Sequence, residues 1–468
     1  MCLHPEWVLE HTEWVLEHTW HNPFPSPFFI TSFRRFSVRR RTPLLANACA
    51  WLFLGSCVLA AEPAVDLTVA TDRGDATYAV DTPVKFVVTA KQAGQAADIE
   101  VVCTIDKDGM PPGVAKTLKL TNGTGTVEGT LGEPGFLKCR VTYGSGGKPA
   151  AAVAVAAIDP LKIPPSLPVP EDFDAFWAQQ KIRLADVPMT PILEPVKSPK
   201  GIECFHAEIS CVPPRPTTGY FARPAGAAPK SLPAILMVQR AGVYQNKPDD
   251  PAAVANKFHA LVLDMNAHGL PSKPEAFKEI AGTLGDYAAL GREDREQSYF
   301  LGMYLRLLRG LDFLCAQPEW DGKTLIVRGG SQGGGQAIAA AGLDSRVSFI
   351  AANVPAMCDH SGCAIGRASG WPGLVPMGED GKPDPKVLQV ARYFDGMNLV
   401  TRAKCEAIFD VGFLDPHCRP TTVYAAYNNW PGKKRIVDRP QAGHRFAPDF
   451  GDATITEHIA RMKAGGGP

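Results

Sequence analysis

Residues 324–342 read Thr-Leu-Ile-Val-Arg-Gly-Gly-Ser-Gln-Gly-Gly-Gly-Gln-Ala-Ile-Ala-Ala-Ala-Gly and combine a strand, a turn and a helix. The apolar run at 325–327 is typical of a buried parallel strand. The alanine-rich run at 336–341 is typical of a helix packed closely on a sheet. Between them, Gly329 to Gly333 form the pattern Gly-x-Ser-x-Gly. A serine between a strand and a helix requires a sharp turn, in which flanking glycines remove Cβ clashes. The pattern therefore predicts that Ser331 is a nucleophile raised above the sheet.

A glycine-rich turn at this place can also be a plain connection or a phosphate-binding loop. No lysine follows the glycines, as a P-loop requires, and the stretch contains no G-x-G-x-x-G pattern. Gln332, which follows the serine, would direct its backbone N–H toward the oxyanion of a tetrahedral intermediate, at the positive end of the helix. These features favour a nucleophile beside an oxyanion hole.

The composition is that of an ordinary soluble globular protein. The 468 residues predict two or three domains, 45% of them are hydrophobic, and 48 basic residues balance 48 acidic ones. Because the chain has neither a strongly basic face nor an acidic tail, nothing indicates a nucleic-acid partner.

Residues 1–61 do not resemble a folded domain. Arginines between positions 34 and 41 precede a largely apolar run at 44–59, and small residues follow up to Ala61. This order predicts a signal peptide, and hence export to the periplasm or the exterior. The apolar run is too short for a convincing membrane span. Cys57 follows Leu-Gly-Ser, which resembles a lipobox, so lipoprotein anchoring through Cys57 is the alternative.

Because disulfides can form in exported proteins, the positions of the twelve cysteines bear on possible bridges, and nine of them lie beyond the leader. Cys103 and Cys139 both fall in the middle of predicted strands, where a disulfide and two buried free thiols fit the pattern equally well. Two further pairs are local candidates for bridges, Cys358/Cys363 and Cys405/Cys418. No C-x-x-C motif and no His/Cys spacing typical of zinc is present, so we predict no metal site.

Beyond the leader, the composition divides the chain into three segments. Residues 62–158 contain short β-rich runs between Gly or Pro turns, which predict a small immunoglobulin-like β-sandwich that serves as a spacer or packing module. Its predicted strands are 84–90, 99–105, 126–130, 136–143 and 151–155. Residues 159–170 are a stiff, proline-rich linker, and residues 171–468 form the largest domain.

The largest domain opens with an amphipathic helix at 171–177, with Asp172 near its cap, and strands then alternate with helices. The predicted strands are 202–212, 217–222, 234–238, 260–264, 325–327, 349–353, 407–411 and 434–437, and the main helices are 301–316, 336–341 and 455–464. This alternation predicts a mostly parallel sheet with helices on both faces and the first two strands as an antiparallel edge. A serine elbow in that context is the α/β-hydrolase arrangement.

The α/β-hydrolase arrangement requires an acid and then a histidine after the serine. His444 follows a predicted strand and precedes the closing helix, and Asp415 follows the strand at 407–411. We therefore predict a Ser331–His444–Asp415 triad in which His444 is the general base. The residues that compete for these two roles are His360, His417, His458 and Asp410.

The second oxyanion donor is expected from the loop after the predicted strand 234–238, as in other hydrolases with this elbow. The chain there reads Gln239-Arg-Ala-Gly-Val243. We predict that the backbone N–H of Ala241 shares this task with that of Gln332.

Several of these motifs together resemble the acetyl xylan esterase/cephalosporin C deacetylase family, carbohydrate esterase family 7. They are Gly-Gly-Ser-Gln-Gly-Gly at 329–334, Gly-Phe-Leu-Asp at 412–415, the Pro-x-x-x-x-Ala-Ala-Tyr-Asn stretch at 420–428 and Gly443-His444. The resemblance covers about residues 168–464. It implies deacetylation of small acetylated sugars and xylo-oligosaccharides without a cofactor. It also implies a triad of Ser331, Asp415 and His444, oxyanion donors Gln332 and Ala241, and a homo-oligomer.

The sequence departs from the family pattern at three places. His268-Gly-Leu stands where Arg-Gly-Gln is usual, His444 is followed by Arg445 instead of Glu, and Arg240 replaces a glycine. These changes put subunit packing and the polarity of the pocket in doubt more than the chemistry. Three other functions remain open: a general short-chain carboxylesterase, a serine peptidase of the prolyl-oligopeptidase kind, and a non-catalytic binding module. The peptidase lacks its usual propeller here, and a binding module need not retain all three triad residues.

Overall fold

A computed structural model describes residues 64–144, 149–447 and 449–466 of the chain. The predicted signal peptide and Cys57 lie outside these residues. The part that follows the leader, from Glu62 onward, is one compact unit. Among the helices that the structure describes, none has the length and apolar character needed to cross a membrane.

The N-terminal β domain consists of two sheets that share one apolar core. The first sheet contains β1 (Val65–Thr71), β3 (Val84–Gln92), β4 (Gln95–Ala96) and β7 (Thr124–Gly129), and the second contains β2 (Thr77–Tyr78), β5 (Glu100–Lys107), β6 (Lys116–Lys119), β8 (Gly135–Tyr143) and β9 (Ala150–Ile158). Along β3, alternate residues are fully buried, among them Val84, Phe86 and Val88, because successive side chains of a strand point to opposite faces. The five predicted strands are present.

All nine cysteines of the described part are free thiols. Cys103 and Cys139 are buried in the core of the β domain, so the free-thiol alternative is the one the structure adopts. Burial raises the pKa of the Cys139 thiol to about 12, and this keeps it protonated and unreactive.

The proline-rich segment after β9 is held firmly against the rest of the chain. The Asn428 side chain donates hydrogen bonds to the carbonyls of Pro160 and Ile163, at 2.9 and 3.0 Å. The guanidinium of Arg367 donates to the carbonyl of Pro164 at 2.9 Å. Residues 159–170, called the strap below, are therefore fixed to the large domain by these hydrogen bonds.

The large domain is built on a nine-stranded sheet of order β10-β11-β12-β14-β13-β15-β16-β17-β18. Its strands are β10 (Pro191–Val196), β11 (Ile202–Ile209), β12 (Thr217–Pro224), β13 (Leu232–Val238), β14 (Leu261–Asn266), β15 (Trp320–Gly330), β16 (Phe349–Asn353), β17 (Glu406–Gly412) and β18 (Lys434–Arg439). The six strands from β14 to β18 pair in parallel, and the first three form an antiparallel edge. The sheet prediction was therefore correct, except that it omitted the outermost strand β10.

Helices cover both faces of this sheet, as expected. They are α1 (Phe173–Ala185), α2 (Asp249–Phe258), α3 (Pro274–Ala281), α4 (Tyr299–Cys315), α5 (Gln332–Leu343), α6 (Pro385–Ala391), α7 (Gly396–Leu399), α8 (Pro420–Asn428) and α9 (Asp452–Lys463). Consecutive strand residues enter different cores: Ile326 packs in the core with α2 and α9, whereas Val327 packs in the core with α4, α5 and α8. Because β15, β17 and β18 are parallel, the loops that follow them emerge at one edge of the sheet.

Candidate active site

Ser331 lies in the turn between β15 and α5, in a conformation that few non-glycine residues adopt. Its φ is 54° and its ψ is −121°. Its N–H donates to the Asn353 carbonyl at 2.9 Å, and its own carbonyl accepts from the N–H of Ala356 at 2.9 Å. These two bonds fix the strained backbone, as is common at functional sites.

The glycines around Ser331 are required by close packing of the backbone. A Cβ on Gly333 would lie 2.3 Å from the carbonyl oxygen of Val238, and one on Gly329 would lie 2.6 Å from the backbone of Gly333. Both distances are well below van der Waals contact. The steric argument from the sequence therefore applies at both positions.

Ser331, His444 and Asp415 form one chain of contacts. His444 Nε2 lies 3.1 Å from Ser331 Oγ, and His444 Nδ1 lies 2.7 Å from Asp415 Oδ2. The other oxygen of Asp415 accepts from the N–H groups of His417 and Cys418, at 2.8 and 2.9 Å. Asp415 is 2% exposed, and its orientation is set by these three donors. The arrangement allows His444 to take the Ser331 proton while Asp415 fixes its tautomer.

The residues that compete with His444 and Asp415 for their predicted roles make other contacts. His458 is held by Ser348 and Arg461, and burial lowers its pKa to about 4. His360 is fully buried, which also lowers its pKa to about 4. Asp410 forms an ion pair with Arg439 at 2.7 Å. His417 stacks edge-on against His444, with ring centroids 5.4 Å apart.

A network of hydrogen bonds and ring contacts connects the loops that carry the two predicted oxyanion donors. The Tyr287 hydroxyl donates to Gln332 Oε1 at 2.5 Å, and the Tyr287 ring packs edge-on against His268, with ring centroids 4.6 Å apart. His268 in turn contacts the carbonyl of Gly242, the residue after Ala241, through Nε2 at 3.1 Å. Its Nδ1 contacts the Tyr299 hydroxyl at 2.6 Å.

The protonation state of His268 follows from its surroundings. Burial lowers its pKa to about 4, so the ring is neutral near pH 7 and carries one proton. A ring nitrogen that faces a carbonyl must be the donor, which places the proton on Nε2, toward Gly242. Nδ1 therefore accepts from the Tyr299 hydroxyl. The sequence analysis treated His268 only as a departure from a family pattern and did not single out Tyr287.

A cavity of about 500 Å³ borders the elbow. Gly330, Arg240, Tyr244 and Phe446 lie in its wall. The Arg240 guanidinium lies 5.4 Å from the centre of the Tyr244 ring and 5.9 Å from that of Phe446, and the Phe446 ring lies 5.1 Å from His444. Arg240, which departs from the family pattern, thus joins the aromatic wall near His444.

Two large aromatic residues near the end of α8 have a packing role. Trp430 is buried, and its indole N–H donates to the carbonyl of Cys405. Tyr427 is also buried and packs on Phe409.

Asp415, Cys418 and His444 have potential metal-ligating atoms within 4.8 Å of one another. Both oxygens of Asp415 are, however, already engaged by His444 and by backbone N–H groups. The geometry therefore fits a proton relay better than a metal centre. The Cys418 sulfur lies 3.8 Å from Ser331 Oγ, and burial raises the pKa of this thiol.

A serine elbow after a parallel strand, with an acid and a histidine on later loops, defines an α/β-hydrolase. A sequence model described as acetyl xylan esterase (AXE1) matches residues 161–462. The chain is also 31% identical over 384 residues to the acetyl esterase Axe7A of Xylanibacter ruminicola, an alignment that covers 80% of this chain and 85% of that protein. The chain belongs to the acetyl xylan esterase family and is a carboxylic ester hydrolase.

Two solved structures resemble part of the chain. An acetyl xylan esterase from Paenibacillus sp. R4 is 26% identical, with a TM-score of 0.54, over 64% of this chain and 98% of that one. Acetyl xylan esterase 1 from Thermoanaerobacterium sp. JW/SL YS485 is 23% identical, with a TM-score of 0.51, over 64% of this chain and 97% of that one. The second likeness concerns the fold alone.

Proposed function

We propose that this protein is an exported serine esterase that removes acetyl groups from acetylated sugars, such as xylo-oligosaccharides. The observation that carries the proposal is the continuous chain of contacts from Ser331 Oγ through His444 to Asp415. The acetyl preference is taken from the family and from the relative named an acetyl esterase. Export, or lipoprotein anchoring at Cys57, is inferred from the leader sequence, and a homo-oligomer is inferred from the family resemblance.

In the proposed mechanism, His444 Nε2 accepts the proton of Ser331 as its oxygen attacks the acetyl carbonyl. Asp415 stabilises the imidazolium through Nδ1–H. The backbone N–H groups of Gln332 and Ala241 stabilise the oxyanion of the tetrahedral intermediate. His444 then returns the proton to the sugar oxygen, and the C–O bond to the leaving alcohol breaks.

The acetyl-enzyme is hydrolysed by the same groups in reverse. His444 removes a proton from water, the resulting hydroxide attacks the Ser331 ester, and the proton passes to Ser331 as acetate leaves. The half-buried position of His444 allows both a sugar hydroxyl and a water molecule to approach it from the solvent side.

The decisive experiment compares wild-type protein, produced from Ala64, with Ser331→Ala on p-nitrophenyl esters from acetyl to octanoyl. We expect activity confined to short chains and a fall in kcat of about 10³-fold or more in the variant. Acetate release from acetylated xylo-oligosaccharides then tests the substrate class. Ser348→Ala, which removes a buried hydroxyl held by His458, is the control for a general loss of folding.

Other outcomes would replace the proposal. A preference for octanoyl esters would indicate a general carboxylesterase, and cleavage of peptides without cleavage of esters would indicate a peptidase. A folded wild-type protein that cleaves neither esters, acetylated sugars nor peptides would indicate a binding module.

A further inference from the structure

A second cavity, of about 730 Å³, lies behind the oxyanion network and away from Ser331. It is walled by the loop before β12, by the segment that follows α3 and by the first turns of α4. Arg215, Arg306 and Tyr299 line it. Its volume is in the range of sites for small ligands.

Of the three arginines that line this cavity, Arg183 lies 3.9 Å from Glu296, whereas Arg215 and Arg306 form no ion pair with a carboxylate of the described ranges. Arg306 is 2% exposed, and its guanidinium donates to the carbonyl of Ala267, through Nε at 3.2 Å and Nη2 at 2.9 Å. The Nε of Arg215 is buried and lacks a hydrogen-bond partner in the same part of the chain. By contrast, the buried Arg367 pairs with Asp359 at 3.3 Å.

The Tyr299 ring, in the first turn of α4, lies beside the guanidinium groups of Arg215 and Arg306. The two guanidinium carbons lie 5.0 and 5.9 Å from the centre of the Tyr299 ring, and burial lowers the pKa of Arg306 to about 10. The 17-residue helix α4 begins at this wall, and its N-cap Ser298 makes no side-chain capping bond. The positive end of the helix therefore adds to the field of the arginines.

The acidic residue at the edge of the cavity is already compensated. Glu296 accepts hydrogen bonds from Gln180 at 3.0 and 3.1 Å and lies 3.9 Å from Arg183. The Glu296 carboxylate therefore interacts with Gln180 and Arg183, and not with Arg215 or Arg306. A buried charge without a counter-ion is costly, and an anion from solution would relieve that cost.

We propose that this cavity binds a small carboxylate anion, held by Arg215 and Arg306 beside the first turn of α4. The planar guanidinium group matches the two oxygens of a carboxylate. The ring of Tyr299 separates the cavity from His268, which accepts a hydrogen bond from the Tyr299 hydroxyl and donates one to the carbonyl of Gly242. Occupation of the cavity is thus coupled to the oxyanion loop, a consequence that rests on the proposed function, whereas binding itself does not.

Binding is tested by titrating the purified protein with sodium malonate at constant ionic strength, with calorimetry and thermal unfolding as readouts. We expect saturable binding below 100 mM, a raised Tm, and a Kd at least about 10-fold weaker in Arg215→Gln, the value of one charge-assisted hydrogen bond. Arg435→Gln, at a surface arginine bonded to Thr454, is the matched control and should bind as wild type does. Malonamide, the neutral analogue, should not bind.

Ser331→Ala separates this proposal from the proposed function, because the variant should bind malonate unchanged while esterase activity is lost. In the wild type, saturating malonate should change kcat for p-nitrophenyl acetate at least about 2-fold. Absence of saturable binding, equal binding by Arg215→Gln, or equal binding of malonamide would each overturn the carboxylate site. Binding with an unchanged kcat would overturn the coupling.

Discussion

Replacement of Tyr287 by Phe tests whether the hydrogen-bond network holds the oxyanion loops in their working positions. The hydroxyl of Tyr287 donates to the Gln332 side chain on one loop, and the Tyr287 ring packs on His268, which contacts Gly242 on the other loop. The ring itself packs on His268 and Tyr299, with centroids 4.6 and 5.1 Å away. Phenylalanine preserves this packing and removes only the oxygen.

The structure indicates how much stability and how much activity Tyr287→Phe should lose. Gln332 is fully buried, so loss of the hydroxyl leaves its Oε1 unpaired, at a cost of about 1–3 kcal/mol in the free energy of unfolding. Loss of an oxyanion donor costs about 10²–10³-fold in kcat, but here the donors are displaced and not removed. We therefore expect kcat to fall by roughly 10- to 100-fold, or about 1.4–2.7 kcal/mol in the activation free energy.

Tyr304→Phe is the matched control. Tyr304 is also fully buried, and its hydroxyl donates to the carbonyl of Phe394 at 3.1 Å, away from the elbow. Urea unfolding should give similar losses of stability for the two variants, whereas only Tyr287→Phe should lower kcat for p-nitrophenyl acetate, with KM changed much less. Equal kcat values for the two folded variants would refute the positioning role of Tyr287.

Two further variants test the packing and electrostatics around the site. Phe136→Ala should lower the free energy of unfolding in urea by about 3–5 kcal/mol, because the fully buried ring packs on Phe413, with centroids 5.2 Å apart. Val102→Ala is the control: Val102 lies on the same domain but is 43% exposed, so its truncation should cost less than about 1 kcal/mol. Burial raises the pKa of Asp264 to about 7, so its contribution to stability is complete below about pH 4 and is lost as the pH rises through 7. In the wild type, the free energy of unfolding should therefore fall between pH 4 and 7, by at most about 1.4 kcal/mol per pH unit from this group. In Asp264→Asn this fall should be smaller, and an unchanged pH profile of stability would contradict the raised pKa.

The elbow was predictable because its sequence pattern is local: the strand, the glycines and the helix all lie within residues 324–342. A Cβ at position 329 would clash with the backbone of Gly333 in the same turn, whereas one at position 333 would clash with the Val238 carbonyl of the neighbouring strand β13. The predicted positions of Asp415 and His444 needed only the order of strands along the chain, because a parallel sheet brings the ends of β15, β17 and β18 to one edge.

Other parts of the site could not be predicted because they depend on tertiary contacts without a local pattern. Tyr287 meets Gln332 across 45 residues of sequence, and nothing in its neighbourhood distinguishes it from a packing tyrosine. The edge strand β10 contains Pro191 and Pro195, which argue against a strand in a sequence but are tolerated at the edge of a sheet. Similarly, the composition of the proline-rich segment indicated its stiffness but not its docking on Asn428.

The N-terminal β domain bears on the part of the large domain that carries the proposed catalytic acid. Phe136 of β8 packs against Phe413, two residues before Asp415, and Asp108 lies 3.9 Å from Arg419, four residues after it. The strap that follows β9 is fixed to Asn428, at the end of α8. These contacts reach both sides of the acid and the helix after it, so the β domain is better understood as a support for the acid loop than as a spacer.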